Sequence, residues 1–252
     1  MEADETTEIM RAPRLHVEDL DPGRGRVVLS RPRAHYLGTV LRLGVGDPVR
    51  VFSAATGEFA ARIHALDRRQ AVLELGERLR APAPVRGPEL WFAPIRRTRL
   101  EWLVEKATEL GAVRLVPVLT RRTVVTLRRP ERLAAIAEEA AEQCERLDVP
   151  EVAAPRPLCA ALAERPAGRP LLFAEERSAA PPLARVLADL ATDEVTVLVG
   201  PEGGFAPEER EALGARADVR PVSLGPAILR SETAAICALA GIRLLTEGEV
   251  LP

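Results

Sequence analysis

Lysine is nearly absent from this chain: of 35 Lys and Arg residues in 252, Lys106 is the single lysine. Aromatic residues make up only 3%, so any core is built from Leu, Val and Ala. Cys144, Cys159 and Cys237 are the only cysteines, and they lie too far apart for a disulfide framework or a zinc site. No apolar run approaches the roughly 18 residues of a membrane span. The first ten residues are acidic and carry no apolar stretch, so no signal peptide is expected. These absences lead us to expect a cytoplasmic protein with no membrane partner and no metal. Neither G-x-G-x-x-G nor G-x-x-x-x-G-K-[ST] occurs, so no standard nucleotide fingerprint is present.

Apolar residues reach 47%, enough for one large or two small packed domains. The net charge of −2 hides an asymmetry: residues 1–10 carry −4, residues 11–130 carry +11, and residues 131–252 carry −9. Such a division points to a polyanion-binding face on the first half.

Residues 1–10 are expected to form a disordered tail. From 11 to 80 the hydrophobic period is two. Short strands are expected at Val27–Leu29, Val49–Phe52, Phe59–Ile63 and Ala71–Leu75, separated by Gly, Pro and Asp. One helix, Pro32 to Leu43, interrupts them. Many short strands with one helix predict a small β-barrel. His16, His35 and His64 lie in this region without ligand spacing and receive no chemical role. Residues 81–88, APAPVRGP, form a proline-rich linker, and the domain boundary is expected there.

From 89 to 252 strands and helices alternate, the pattern of a mainly parallel α/β sheet. Strands are expected at Glu89–Pro94, Val113–Leu119 and Pro170–Ala174. A helix capped by Thr98 runs to Leu110, with Leu100, Leu103, Val104 and Ala107 on one face. A long helix spans Pro130 to about Leu147, and another spans Pro182 to Leu190. Two strands are then each followed by a Gly-Pro loop and a helix. Val195–Leu198 leads into Val199-Gly200-Pro201-Glu202-Gly203-Gly204-Phe205. Val219–Leu224 leads into Gly225-Pro226-Ala227-Ile228-Leu229-Arg230, and Ser231-Glu232-Thr233 opens an apolar helix to Leu245. Loops at the carboxyl ends of such strands are the usual ligand site of an open α/β sheet. Glycine lets backbone groups approach a ligand closely. Pro201 and Pro226 remove donors that a phosphate cradle needs. Two walls of one pocket, holding a ligand such as an adenine ring by backbone groups, fit this pattern better than a pyrophosphate site.

VGPEGGF followed by LGPAILRSETA resembles the C-terminal signature of the small-subunit (16S) ribosomal RNA uridine N3-methyltransferases, members of the SPOUT superfamily. KATELG at Lys106–Gly111, Arg121-Arg122-Thr123 and EQCER at Glu142–Arg146 agree in order and spacing. So do His35-Tyr36-Leu37, Val40-Leu41-Arg42 and Gly46-Asp47. The likeness spans nearly the whole chain. Two positions depart from it: Glu145 stands where the family usually has Gly, and Ala227 where it often has Arg. The resemblance implies a PUA-like RNA-binding barrel over 11–80 and a trefoil-knotted SPOUT sheet over 89–252. It also implies S-adenosyl-L-methionine as cofactor, 16S ribosomal RNA in the small subunit as substrate, and a homodimer.

It implies cofactor contacts from Leu198, Val199, Gly200, Pro201, Glu202 and Gly203, then from Leu224, Gly225, Ile228, Leu229, Arg230 and Thr233. RNA contacts are expected from Arg31, Arg33, Arg42, Arg96, Arg97, Arg121 and Arg122. Uridine N3 must lose its proton before or during attack, and the charge that develops spreads onto O2 and O4. A fixed guanidinium would stabilise that charge, and a carboxylate or water could take the proton. Arg146, Arg230 and Arg121 are the candidate cations; Glu142, Glu202 and Glu232 are the candidate bases or orienters. Arg146, Glu142 and Arg230 are carried forward as catalytic. Glu142 and Arg146 stand one helical turn apart, a spacing that also serves a plain surface pair. Two alternatives stay open: a related methyltransferase acting on a ribose 2′-hydroxyl or another base, and a non-catalytic RNA-binding assembly factor.

Overall fold

The structure, a computed structural model, describes residues 2–127, 129–165, 168–175, 180–190 and 192–246. It divides into two compact units. The first comprises Met1–Val85 with Ala141–Val149, and the second Arg86–Ala140 with Pro150–Pro252. The boundary falls inside the proline-rich linker. Residues 141–149, expected within the second domain, belong instead to the first.

The first unit opens with α1 (Glu2–Arg11), so the segment expected to be a disordered tail is helical. Strands β1 (Arg14–His16) and β2 (Arg26–Leu29) follow, then α2 (Arg31–His35). The helix expected from Pro32 to Leu43 is shorter and changes type. Tyr36–Val40 forms a single π turn, closed by Leu41 N–H donating to the Tyr36 carbonyl at 2.9 Å. Next come β3 (Pro48–Ser53), β4 (Gly57–Leu66) and β5 (Ala71–Arg80). The sheet order is β1-β3-β4-β5-β2, antiparallel except for the parallel β1–β3 pair. Leu15, Leu37, Val49, Val51, Ile63 and Leu73 fill its core. Fully burying each such aliphatic side chain contributes about 1.5–3 kcal/mol.

The second unit is a parallel sheet flanked by helices. Its elements are β6 (Glu89–Phe92), α3 (Arg97–Glu109), β7 (Arg114–Leu119), α4 (Pro130–Gln143), β8 (Glu151–Val152), β9 (Arg156–Pro157) and α5 (Leu158–Glu164). They continue with β10 (Leu171–Ala174), α6 (Leu183–Leu190), β11 (Thr196–Val199), α7 (Pro207–Gly214), β12 (Val219–Val222) and α8 (Ser231–Thr246). The strand order is β12-β10-β11-β6-β7-β8, and β9 also pairs with β7. The expected face of α3, Leu100, Leu103, Val104 and Ala107, is buried. Its start differs from expectation. Arg99 and Leu100 N–H groups both donate to the Arg96 carbonyl, so Arg96 is the cap and Thr98 lies inside the first turn. Trp91, Val116, Val118, Leu171, Phe173 and Leu198 form the core under the sheet.

From the edge strand β12 the chain returns to the middle of the sheet, where α8 packs on β11, β6, α3 and α6. That return is what the knotted topology implied by the resemblance needs. The lone lysine, Lys106 on α3, pairs with Glu105 at 2.7 Å and Glu109 at 2.8 Å, and hydrogen bonding to both raises its pKa. It serves the helix surface. Two arginines, Arg132 and Arg97, pull the Glu101 carboxyl down to about 2.

Candidate functional site

Strand order explains the site. β10 pairs with β11 on one side and β12 on the other, all parallel, so the carboxyl ends of the three strands share one edge. The loops that leave them enclose a cleft of about 410 Å³. Small-molecule sites typically span about 300–1,000 Å³. Val199, Gly200, Pro201, Gly204 and Phe205 form the wall after β11, and Val222 to Leu229 the wall after β12. Ala174 at the end of β10 and Glu175 just after it form a third wall that the sequence pattern did not reveal. Only the non-sequential strand order puts them between the other two.

Seven of the expected cofactor residues line this cleft: Val199, Gly200, Pro201, Leu224, Gly225, Ile228 and Leu229. Five do not. Leu198 is fully buried within β11, facing the core. Glu202 and Gly203 are turned to solvent by a tight turn in which Gly204 N–H donates to the Pro201 carbonyl at 2.8 Å. Arg230 and Thr233 are exposed at the start of α8. In their place the structure supplies Phe205, Arg210, Ser231 and Ala234. Ser231 Oγ donates to the Gly200 carbonyl at 2.8 Å and so fixes the floor between the two loops. Arg210 and Glu175 stand 3.7 Å apart at the wall. A serine opening a helix is a common cap, so its sequence position alone gave no signal of this contact.

Glu232 does not line the cleft. One carboxylate oxygen lies 3.4 Å from Arg99 Nε on α3, and the other is buried without a hydrogen-bond partner among the described residues. Arg96 and Arg97 follow β6, and Arg121 and Arg122 follow β7. All four are exposed, on the same carboxyl edge as the cleft loops. Among the described residues no group of three or more His, Cys, Asp and Glu is placed to hold a metal.

Glu142 and Arg146 belong to the first unit. The long helix expected to carry both ends at Gln143, so they are not an i, i+4 pair on one helix. The physical cause is Arg14. Its guanidinium donates to the carbonyls of Ala141 at 3.0 Å, Glu142 at 3.1 Å and Arg146 at 2.9 Å, taking up the helix's terminal acceptors. Arg80 donates to the Glu145 carbonyl at 2.7 Å. Glu145 itself turns the chain with φ +61°, a left-handed conformation that glycine adopts without strain. Its carboxylate accepts from Arg50 at 2.6 Å, and that hydrogen bond lowers its pKa.

The Glu142 carboxylate accepts from His16 N–H at 2.9 Å and from Arg33 Nη1 at 2.8 Å. Arg146 forks onto Asp148, with Nε at 3.1 Å and Nη2 at 2.5 Å. The structure therefore places these two on the barrel. Of the barrel arginines, Arg31 and Arg42 are exposed, whereas Arg33 is half-buried against Glu142.

Comparison with known proteins agrees with this architecture. A family described as RNA methyltransferase domain matches residues 84–243, and one described as RNA methyltransferase PUA domain matches residues 29–76. A Rickettsia conorii protein named ribosomal RNA small subunit methyltransferase E is 35% identical over 86% of this chain and 88% of its own length. A Synechocystis protein of the same name is 35% identical over 88% of this chain and 74% of its own. The crystal structure of the Neisseria gonorrhoeae protein of that name, bound to S-adenosyl methionine, superposes with a TM-score of 0.81 at 26% identity. It covers 93% of this chain and 98% of that one.

Proposed function

The chain belongs to the family of ribosomal RNA small subunit methyltransferases E, and from that premise we propose that it places a methyl group on N3 of a uridine in small-subunit RNA, using the cleft between the two Gly-Pro loops. It is an S-adenosylmethionine-dependent ribosomal RNA methyltransferase with a SPOUT-type α/β domain and a PUA-like barrel. The observation that carries the site is the convergence of three strand ends on one cleft with a glycine-built wall.

The cleft fits the cofactor. A Cβ at Gly200 would lie 3.0 Å from Phe205 Cε2, so any side chain there forces the Phe205 ring of the cleft wall to shift by a few tenths of an ångström. Val199, Leu224, Ile228 and Leu229 offer apolar contact, while Glu175 and Arg210 offer the charges that an ammonium and a carboxylate on one ligand require. Bound there, S-adenosylmethionine supplies an electrophilic methyl group on a sulfonium. The protein's part is to orient the base, since alignment provides much of the acceleration. It must also neutralise charge developing on the uracil oxygens.

Arg230, at the end of the second loop, and Arg146, held rigid by Asp148, are the proposed cations; Glu142 is the proposed orienter beside Arg146. Removing one preorganised donor costs about 3–4 kcal/mol, a rate loss of roughly a hundred- to a thousand-fold. Arg230→Ala and Arg146→Ala are each expected to show this in single-turnover methylation of small ribosomal subunits with cofactor affinity unchanged; the melting temperature, which loss of the largely buried Arg146–Asp148 pair lowers, is measured alongside. The same reaction, digested and read by mass spectrometry, locates the methyl group. A methyl on ribose or on another base refutes the N3 assignment. Near-normal rates in one variant remove that arginine from the chemistry.

RNA contact is proposed for Arg31, Arg33 and Arg42 on the barrel and for Arg96, Arg97, Arg121 and Arg122 on the sheet edge. A homodimer is proposed through the face of α3 and α8, where Trp102, Leu244 and Leu245 are 43%, 77% and 54% exposed. Sedimentation equilibrium should return twice 27.3 kDa. A monomer mass at micromolar concentration refutes it.

A further inference from the structure

Glu209 is the third residue of α7 and bridges two loops that are far apart in sequence. One oxygen accepts from the Ala206 N–H at 2.8 Å. This is half of a capping box; Ala206 has no side-chain oxygen to complete it. The other oxygen accepts from the Arg121 backbone N–H at 2.8 Å, across 88 residues. Beside it, Arg122 Nη1 donates to the Gly203 carbonyl at 2.7 Å. The Arg121 loop is itself stiff. Thr123 Oγ1 accepts from Thr120 N–H at 2.9 Å, and Thr123 N–H donates to the Thr120 carbonyl at 3.1 Å. Two hydrogen bonds, from Arg121 N–H to Glu209 and from Arg122 to the Gly203 carbonyl, therefore tie the loop carrying Arg121 and Arg122 to the loop whose Gly200, Pro201, Gly204 and Phe205 wall the cleft.

We propose that Glu209 is a positioning residue that couples cofactor binding to RNA binding, by holding the Arg121–Arg122 loop in register with the cleft wall. The coupling rests on the proposed function, since it assumes that the cleft takes the cofactor and that these arginines meet RNA. A ligand that displaces Gly200, Pro201, Gly204 or Phe205 moves Gly203 and Ala206 with them, and the Glu209 and Arg122 contacts pass that displacement to the arginines. The effect is reciprocal: RNA raises cofactor affinity by the same factor. A carboxylate that only caps α7 would alter helix stability and leave the two affinities independent.

Equilibrium dialysis of labelled S-adenosylhomocysteine, with and without saturating unmethylated small ribosomal subunits, tests this. In the wild type the subunits should tighten cofactor binding by roughly fivefold or more. In Glu209→Gln only one of the two backbone donors keeps a carbonyl-type acceptor, and the factor should fall to about one. Glu209→Asp keeps the charge but is too short to span both donors, and it should lose coupling as well. The exposed neighbour Glu211, changed to Gln, should keep the wild-type factor. Melting temperatures establish that each variant is folded. Wild-type protein that binds both ligands without coupling overturns the inference, as do Glu209 variants that retain it. Wild-type protein that binds no subunit at all overturns the functional reading itself, and the coupling with it.

Discussion

Gly200→Val is expected to weaken cofactor binding by roughly five- to a hundredfold, whereas Gly203→Val weakens it far less. A Cβ built at Gly200 lies 3.0 Å from Phe205 Cε2 and 3.1 Å from its Cζ. Phe205 cannot yield easily. It is 4% exposed and packs edge-on against Phe173, with ring centroids 6.1 Å apart. The Gly200 carbonyl is pinned by Ser231, so the backbone cannot retreat either. The valine methyls must then enter the cleft or displace its wall. Overpacking of this kind costs about 1–3 kcal/mol, and every 1.4 kcal/mol lost from binding is roughly tenfold in affinity. At Gly203 a Cβ meets only Arg122 atoms at 3.6 Å, an ordinary contact on the solvent side. Calorimetric titration with S-adenosylhomocysteine compares the two. Equal affinities for wild type and Gly200→Val mean that the cofactor binds elsewhere. A larger loss at Gly203 means that the tight turn, not the Gly200 wall, makes the decisive contact.

Glu58→Ala is expected to destabilise the protein by about 3–5 kcal/mol, the cost of removing one partner from a buried ion pair. The Glu58 side chain is 1% exposed, and those of Arg14 and Arg50 are 2% and 5%. Glu58 accepts from Arg14 Nε at 2.8 Å and from Arg80 Nε at 2.5 Å, with Arg50 at 3.5 Å. Arg14 also lies over the Phe52 ring, 4.1 Å from its centroid. Burial lowers the Arg14 pKa, opposed by its hydrogen bond and charge attraction to Glu58. Without Glu58, three guanidinium groups face one another with one carboxylate fewer. The same arginines hold the carbonyls of residues 141, 142, 145 and 146, so their release should also loosen the Glu142–Arg146 segment. Urea denaturation measures the stability, and hydrogen exchange at residues 141–149 reads the local effect. A change below about 1 kcal/mol, the range of an exposed pair, would show that the cluster is not a buried ion network in solution.

Glu145 shows where local reading failed. Five residues, EQCER, fit a continuing helix, and α4 has the apolar spacing to extend through them. The helix stops at Gln143 because Arg14, more than 120 residues earlier, takes its last carbonyls. No helix-stop glycine marks the place, since Glu145 adopts the left-handed turn with its carboxylate anchored by Arg50. The N-terminal segment failed in the opposite sense: an acidic, polar stretch gave no core-facing signal, yet it forms α1.

The chain's own residues determined the alternation of strand and helix in the second unit, the buried face of α3, the two Gly-Pro loops and the basic first half. Each follows from spacing, turn chemistry or charge within a few residues, and these act without knowledge of distant partners. Tertiary structure alone decided that β10 lies between β11 and β12, which brings Glu175 into the cleft. It alone distinguished Gly200 from Gly203, gave Ser231 a carbonyl to hold, and moved Glu142 and Arg146 onto the barrel. Those outcomes depend on parallel pairing and buried ion pairs between segments tens to more than a hundred residues apart, and local periodicity carries no record of which distant strand or guanidinium becomes the neighbour.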